Sequence, residues 1–422
     1  MNIFKLDKKL RYLIIRFIII LILMVCFAYN KTVYATEDSK STNITRAYFC
    51  SQITKKYGNG DCILLENYDN DGNKVYGLID TGRKISSADK NGETSTVVVE
   101  YLKNHGVAKL DFLLITHTHI DHNEDALSVI NNFEINKIYM KEFDKTLVTD
   151  DSEQTTYEKI IKLAIEKNIK VIGTSYLSII SSNITPSRSE DFINNYVPNA
   201  KEENFESFYY NNETDNNIIF SLGSAQLRIY NWEMFDETGN QYITGVTTDK
   251  QREIVSNENN NSLAVLLTQG SKKALFAGDM NNLDKNTETG RIGDEDRLKN
   301  DIGKIDLLKL GHHGYQYSNT DDYINVLKPD YAVITNDIGG AYKDICSWLE
   351  ENNTDYLYTT VDDYGITATI TENEIYLGLE TTESFINING ELYYIPIDSE
   401  YIDYKKSVYK VEYKEKSVEV SN

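Results

Sequence analysis

The chain has 422 residues, 41% of them hydrophobic, and a formal net charge of −22. That length and apolar content exclude a disordered chain and leave room for one large or two modest domains. The acidic balance repels phosphate polymers unless a local basic patch or a bound metal compensates, which weighs against a general nucleic-acid-binding protein.

Residues 1–35 read as a secretory signal. Lys5, Lys8, Lys9 and Arg11 form a basic start, and an apolar run follows from Leu13 to Ala28, broken by Arg16. Val33-Tyr34-Ala35 places small residues where signal peptidase needs them, so cleavage is expected after Ala35; an uncleaved anchor is the competing reading. Residues 36–44 form a polar linker. After residue 28 no apolar run approaches the roughly 18 residues of a membrane helix, so no multi-span domain is expected. Three cysteines remain past the signal, Cys50, Cys62 and Cys346, without paired-motif spacing. They read as small buried residues.

From Ala47 the chain is β-rich. AYFCSQIT, DCILLENY and KVYGLID read as three strands, with Asp71-Gly72 marking the hairpin between the second and third. Gly58-Asn59-Gly60-Asp61 reads as a flexible loop. Residues 95–104 predict a helix closed by Gly106. The apolar run Phe112–Ile115 predicts a buried strand, and Ala126, Leu127 and Ile130 give the next helix its apolar stripe. Residues 157–167 predict an amphipathic helix, followed by a strand at Ile169–Ile172. Residues 182–217 carry no clear pattern and read as a surface insertion. A hairpin about Gly223-Ser224 follows, then strands at Ser262–Leu267, Lys273–Phe276, Ile305–Leu310 and Pro329–Thr335. A helix over 342–352 and two strands end the core. The tyrosine-rich tail past about residue 379 reads as a β-rich extension.

Three of these strands end in metal-ligand residues. LLITHTHIDHNEDA holds His117, His119, Asp121 and His122 within six residues, out of only six histidines in the chain. His117 and His119 are two apart on an extended loop and can point the same way; Asp121 and His122 follow where the chain turns helical. Imidazole and carboxylate are the usual ligands of a divalent ion such as zinc. Ala277-Gly278-Asp279 ends a second strand, and Gly311-His312-His313-Gly314 a third. Loops at strand C-termini are where layered folds build sites.

The H-x-H-x-D-H spacing, with the later G-D and G-H-H-G, resembles the signature of the metallo-β-lactamase fold superfamily of dinuclear metallohydrolases. The resemblance spans roughly residues 45–375. It implies an α/β fold, a four-layer αββα sandwich over residues 45–378, with residues 379–422 as a small β-rich C-terminal extension. It also implies two divalent ions, zinc first and manganese as the alternative, and it aligns Gly58–Cys62 and Asp80-Thr81-Gly82 with common segments of the fold. His117, His119 and Asp279 would hold one ion. Asp121, His122, Asp279 and His313 would hold the other, with His312 facing the substrate; the reverse assignment of His312 and His313 stands as an alternative. Asp80 would brace the metal loop from behind. Many members carry a further histidine before the bridging aspartate, whereas this chain reads Asn259-Asn260-Asn261-Ser262-Leu263 there. Asn261 and Ser262 are therefore expected to support the site without binding metal. The departure counts against a β-lactamase, a glyoxalase-type thioesterase or a lactonase. It resembles the branch containing the extracellular hydrolase domain of DNA-uptake channel proteins and the secreted phosphorylcholine esterases of teichoic acid.

Two ions about 3.5–4 Å apart lower the pKa of a shared water and stabilise charge on a reacting oxygen. The expected function is therefore a secreted phosphodiesterase acting through a metal-bridging hydroxide, with Asp121 and His312 as its catalytic residues. Its substrate would be a cell-envelope polymer or a small phosphorylcholine-type ester. Trp232 and Tyr315 are candidate aromatic contacts for a cationic headgroup. A secreted nuclease is the second reading, and a non-catalytic binding protein on the same fold is the third. Only scattered lysines, such as Lys272, Lys273 and Lys304, accompany the motifs, and no basic run that would track a nucleic acid.

Overall fold

The computed structural model describes residues 43–88, 92–140, 151–174, 205–208, 218–232, 259, 262–282, 293–361, 365–379, 385–388 and 391–394. The signal and most of the linker, Asn261, most of 182–217 and nearly all of the C-terminal extension lie outside these residues. All of the described residues belong to one compact unit, Asn43–Asn422. The chain is a mixed α/β protein built on two large sheets.

The first sheet has nine strands. In chain order they are β1 (Thr45–Cys50), β2 (Ile63–Tyr68), β3 (Lys74–Ile79), β4 (Phe112–Ile115), β5 (Lys137–Met140), β6 (Lys170–Thr174), β7 (Phe205–Phe208) and, much later, β15 (Gly365–Ile370) and β16 (Ile375–Leu379). Their spatial order is β7-β6-β5-β4-β3-β2-β1-β15-β16. The run from β3 to β7 is parallel and the remainder antiparallel.

The second sheet has seven strands lying in chain order: β8 (Ile219–Leu222), β9 (Ala225–Tyr230), β10 (Ala264–Gln269), β11 (Lys272–Phe276), β12 (Leu307–Lys309), β13 (Tyr331–Ile334) and β14 (Asp355–Tyr358). β8 to β11 pair antiparallel, and β11 to β14 parallel.

Strand alternation sorts the apolar residues into two cores. Ala47, Phe49, Ile63, Leu65, Phe112 and Leu114 from the first sheet share one buried cluster with the strands of the second. That cluster also takes in Leu298 and Ile302 of one helix (Asp294–Ile302), and Ile345 and Leu349 of another (Lys343–Glu351). The opposite face of the first sheet, with Leu64, Leu78, Leu113, Ile115 and Ile138, forms a second cluster with helices at Val97–Asn104, Ala126–Asn132 and Asp151–Glu166. No helix among the described residues is long and apolar enough to cross a membrane.

Several local expectations need correction. AYFCSQIT is not one strand: it turns helical at Ser51, and Ser51–Tyr57 is a helix ended by Gly58 in the left-handed region. The predicted helix at 95–104 begins at Val97, because Ser95 and Thr96 pair as a short strand and the Thr96 side chain accepts a hydrogen bond from Val99 N–H as the cap. Phe205–Phe208, inside the stretch read as patternless, is a parallel edge strand. Four residues are too few to show a period. Trp232 is 4% exposed within the main core and is not a surface available to a ligand.

Candidate metal centre

The segments of the site leave the C-terminal ends of strands in a parallel part of their sheet, except the loops ahead of β2 and β10. β3 delivers Asp80, β4 delivers His117 to His122, β11 delivers Asp279, β12 delivers His312-His313, and β13 delivers Thr335 and Asn336. The two sheets are joined at this edge by Leu263 N–H donating to Thr116 C=O at 2.9 Å, and within the second sheet His312 N–H donates to Gly278 C=O at 3.1 Å.

The fold brings His117, His119, Asp121, His122, Asp279 and His313 together. His122 Nε2 and His313 Nε2 stand 3.3 Å apart. Asp279 Oδ1 lies 3.1 Å from the first and 3.3 Å from the second, and Asp121 Oδ2 is 3.5 Å from His313 Nε2. A tetrahedral ion with bonds of about 2.0–2.1 Å separates its ligand atoms by about 3.3–3.4 Å, so His122 Nε2, His313 Nε2 and Asp279 Oδ1 have the spacing of one coordination shell, with Asp121 Oδ2 beside His313. On the other side His117 Nε2 is 3.0 Å from His119 Nδ1 and 3.8 Å from Asp279 Oδ2. Asp279 thus turns one oxygen to each histidine set. Its Oδ1 is buried and accepts no well-aligned hydrogen bond. Two groups of side chains could hold a metal ion, one of Asp61, His122, Asp279 and His313 and one of His117, His119 and Asp279.

The electrostatics support the same fit. Burial lowers the affinity of His117 and His119 for protons. Burial acts the same way on His122, but Asp279 and Asp80 outweigh it and push that group up to about 10. His313 is raised by Asp279 and Asp61, again against burial. Buried carboxylates thus hold protons on the two imidazoles, and a cation between the Nε2 atoms would supply that positive charge instead.

Supporting residues fix the ligands. Asp80 accepts from Thr116 N–H at 2.8 Å and Thr116 O–H at 2.7 Å, and its Oδ2 is 2.7 Å from His122 Nδ1. A carboxylate at Nδ1 puts the proton there and leaves Nε2 free for a metal. Ser262 Oγ accepts from Asp279 N–H at 2.8 Å. Gly278 sits at φ +52°, and a Cβ there would meet Ser262 Oγ at 2.3 Å, so the turn into Asp279 requires glycine.

His312 stands beside the cluster, not in it. Its Nδ1 is buried without a hydrogen-bond partner, burial lowers its pKa, and its ring lies edge-on to Tyr315 at 5.3 Å. His312 and His313 both occupy the left-handed region, at φ 49° and 54°. That costs about 1–2 kcal/mol per residue and persists only where surroundings impose it. Asn319 imposes it by gripping both sides of Gly311: its Oδ1 accepts from Gly311 N–H at 2.9 Å and its Nδ2 donates to Gly311 C=O at 2.8 Å. Asn336 Nδ2 donates to His313 C=O at 3.0 Å. Glu295, fully buried, accepts from the backbone N–H groups of Asn319 and Thr320 and from the Thr320 hydroxyl.

Sequence reading missed Asp61 and Lys309. The Gly58–Asp61 loop is not flexible: Asp61 is 1% exposed, its N–H donates to Asp121 C=O at 3.1 Å, and Asn59 Nδ2 donates to Asp121 Oδ2 at 2.9 Å. Lys309, a lysine closing an otherwise apolar strand, was the available signal; it is fully buried beside Asp61 and Asp279. No known family model matches the chain, and no curated protein matches it either.

Glu295 offers a test of the scaffold. Burial outweighs its three donors and pushes its pKa from 4.5 up to about 7. Between those values the folded state holds a proton that the unfolded state has released, so stability from this group falls as pH rises through that window. Urea unfolding from pH 4.5 to 7.5 should show wild type losing stability relative to Glu295→Gln as pH rises. A constant difference would reject the assignment.

Proposed function

We propose that this chain is a secreted, dinuclear metal-dependent hydrolase of phosphodiesters on a four-layer αββα metallo-β-lactamase sandwich. The observation that carries the reading is Asp279, whose two buried oxygens face two separate histidine sets. His117, His119 and Asp279 would hold one ion, and Asp121, His122, Asp279 and His313 the other, with zinc the best match to this nitrogen and carboxylate set. When bound, such a pair supplies Lewis-acid stabilisation of the phosphoryl oxygens and a nucleophile at neutral pH.

The chain's own residues do the remaining work. Asn59 holds Asp121 in place through its hydrogen bond to Oδ2. Asp80 sets the His122 tautomer. His312, outside both ligand sets and lowered by burial, would as a neutral imidazole offer its one N–H as a hydrogen bond to the charge developing on a leaving or phosphoryl oxygen. Tyr315 covers His312, and exposed Tyr317 and Tyr342 lie on the loops after β12 and β13. That aromatic rim suits a small organic alcohol or a choline-type headgroup. Two of the scattered lysines noted in the sequence are paired, Lys272 with Asp306 and Lys304 with Asp330, which disfavours a groove for nucleic acid.

Purified protein should contain close to two divalent ions per chain. Asp279→Ala should lose both, whereas His312→Ala should keep them and turn over about 10²–10³-fold more slowly. Elemental analysis beside a rate assay decides this; a wild type that binds no zinc or manganese rejects the dinuclear reading. Two bound ions without turnover on any phosphodiester would favour the binding-protein reading.

For substrate, a chromogenic phosphorylcholine ester should be cleaved faster than single- or double-stranded DNA at matched phosphodiester concentration, since a polyanion needs many Lys or Arg contacts. Faster DNA cleavage that disappears in His119→Ala would make the protein a nuclease. For location, N-terminal sequencing of native protein should begin at Thr36; an intact Met1 in the membrane fraction would show an anchor.

A further inference from the structure

Lys309 is the only buried lysine or arginine among the described residues. Its Nζ donates to Gly278 C=O at 2.8 Å, pairs with Asp61 Oδ2 and lies 3.9 Å from Asp279 Oδ1. Asp61 is equally buried, and it answers both the ammonium and two imidazoles. Its Oδ1 is 3.4 Å from His313 Nδ1, and its Oδ2 is 3.9 Å from His122 Nδ1. Burial would raise the Asp61 carboxyl, but Lys309 and His313 hold it at about 2.

These distances separate Asp61 from the ligands. It faces the Nδ1 edges of His122 and His313, whereas Asp279 and Asp121 face their Nε2 edges. Asp61 clusters with His122, Asp279 and His313, but its oxygens face the Nδ1 edges of both rings. Those edges are held by others, His122 Nδ1 by Asp80 Oδ2 at 2.7 Å and His313 Nδ1 by Thr335 Oγ1 at 2.9 Å, so Asp61 has the place of the anion that holds Lys309. Lys309 has the place of a competitor: a fixed positive charge within reach of the oxygen that a metal would bind.

We propose that Asp61 and Lys309 are a positioning pair for the His122–His313 metal site. Asp61 tethers the Lys309 ammonium away from Asp279, while Thr335 Oγ1, 2.9 Å from His313 Nδ1, orients that ring. The proposal rests on the dinuclear reading above.

The test is a mutant cycle read by zinc content. Wild type, Asp61→Asn, Lys309→Met and the double variant are equilibrated at buffered free zinc, and melting is measured separately in chelator to score folding without metal. Asp61→Asn releases the ammonium onto Asp279, so zinc content should fall from two ions towards one, with affinity at the weakened site down about 10–100-fold. The double variant removes the competitor as well and replaces a buried ion pair with uncharged groups, an exchange folds often tolerate. It should recover the second ion, and Lys309→Met should keep both throughout.

A double variant that stays at one ion would make Asp61 itself a ligand and overturn the proposal. So would Asp61→Asn holding two ions at wild-type affinity. If Asp61→Asn does not fold in chelator, the double variant still decides by its ion count. A wild type without zinc would instead reject the dinuclear reading and leave no site for the pair to position.

Discussion

Four carboxylates, from Asp61, Asp80, Asp121 and Asp279, lie within the buried edge where the two sheets meet. An ionised carboxylate out of water is costly unless a positive charge or several donors face it. Much of the local architecture answers that demand. Asp80 receives two donors from Thr116 and a third contact from His122. Asp61 receives Lys309. Asp121 receives Asn59. Asp61 Oδ1 and Asp279 Oδ1 are both left without an aligned donor, and Asp279 is the residue that faces both histidine sets. The charge left uncompensated by the chain is concentrated where a cation would sit.

Holding that arrangement places backbone in costly conformations. Asp80, His312, His313 and Asn319 all sit at positive φ. None is glycine, so each conformation is imposed by neighbours. The fixing groups are buried side chains that bond to backbone: Asn319 to Gly311, Asn336 to His313, Ser262 to Asp279. The rigidity of the histidine turn therefore comes from polar anchors on the next loops, and Glu295 transmits it to the helix at Asp294–Ile302.

The ligands were legible in the sequence because strand, turn and ligand are consecutive in each segment: Phe112–Ile115 before His117, Lys272–Phe276 before Asp279, Leu307–Lys309 before His312. Asp61 and Lys309 were not legible as a pair, since 248 positions of chain separate them and only the folded sheets bring them together. The G-N-G-D segment looks mobile by composition, yet Asp337 N–H donates to Gly58 C=O and Asp61 N–H to Asp121 C=O, contacts that local propensity does not encode. Ser51–Tyr57 was misread because apolar and polar residues there fit a strand period as well as a helical one. Most strands of the nine- and seven-stranded sheets could be read one by one, Phe205–Phe208 and Ile375–Leu379 among the exceptions, but their order could not be read.

The two halves of the centre are unequal. In the His122–His313 half, His122 Nε2, His313 Nε2 and Asp279 Oδ1 lie 3.1–3.3 Å apart with Asp121 Oδ2 3.5 Å from His313, and both histidines are fully buried. The His117–His119 half offers three atoms, with His119 partly exposed. On the dinuclear reading, the buried half is the permanent structural ion and the open half is the one with coordination positions to spare. Fewer protein ligands leave more of an ion's charge uncompensated and more room for a substrate oxygen. The same inequality explains why the positioning pair stands behind the buried half. A site with every position filled by protein gains most from ligands that cannot turn, and an ammonium 3.9 Å from its bridging oxygen must be kept from filling it instead.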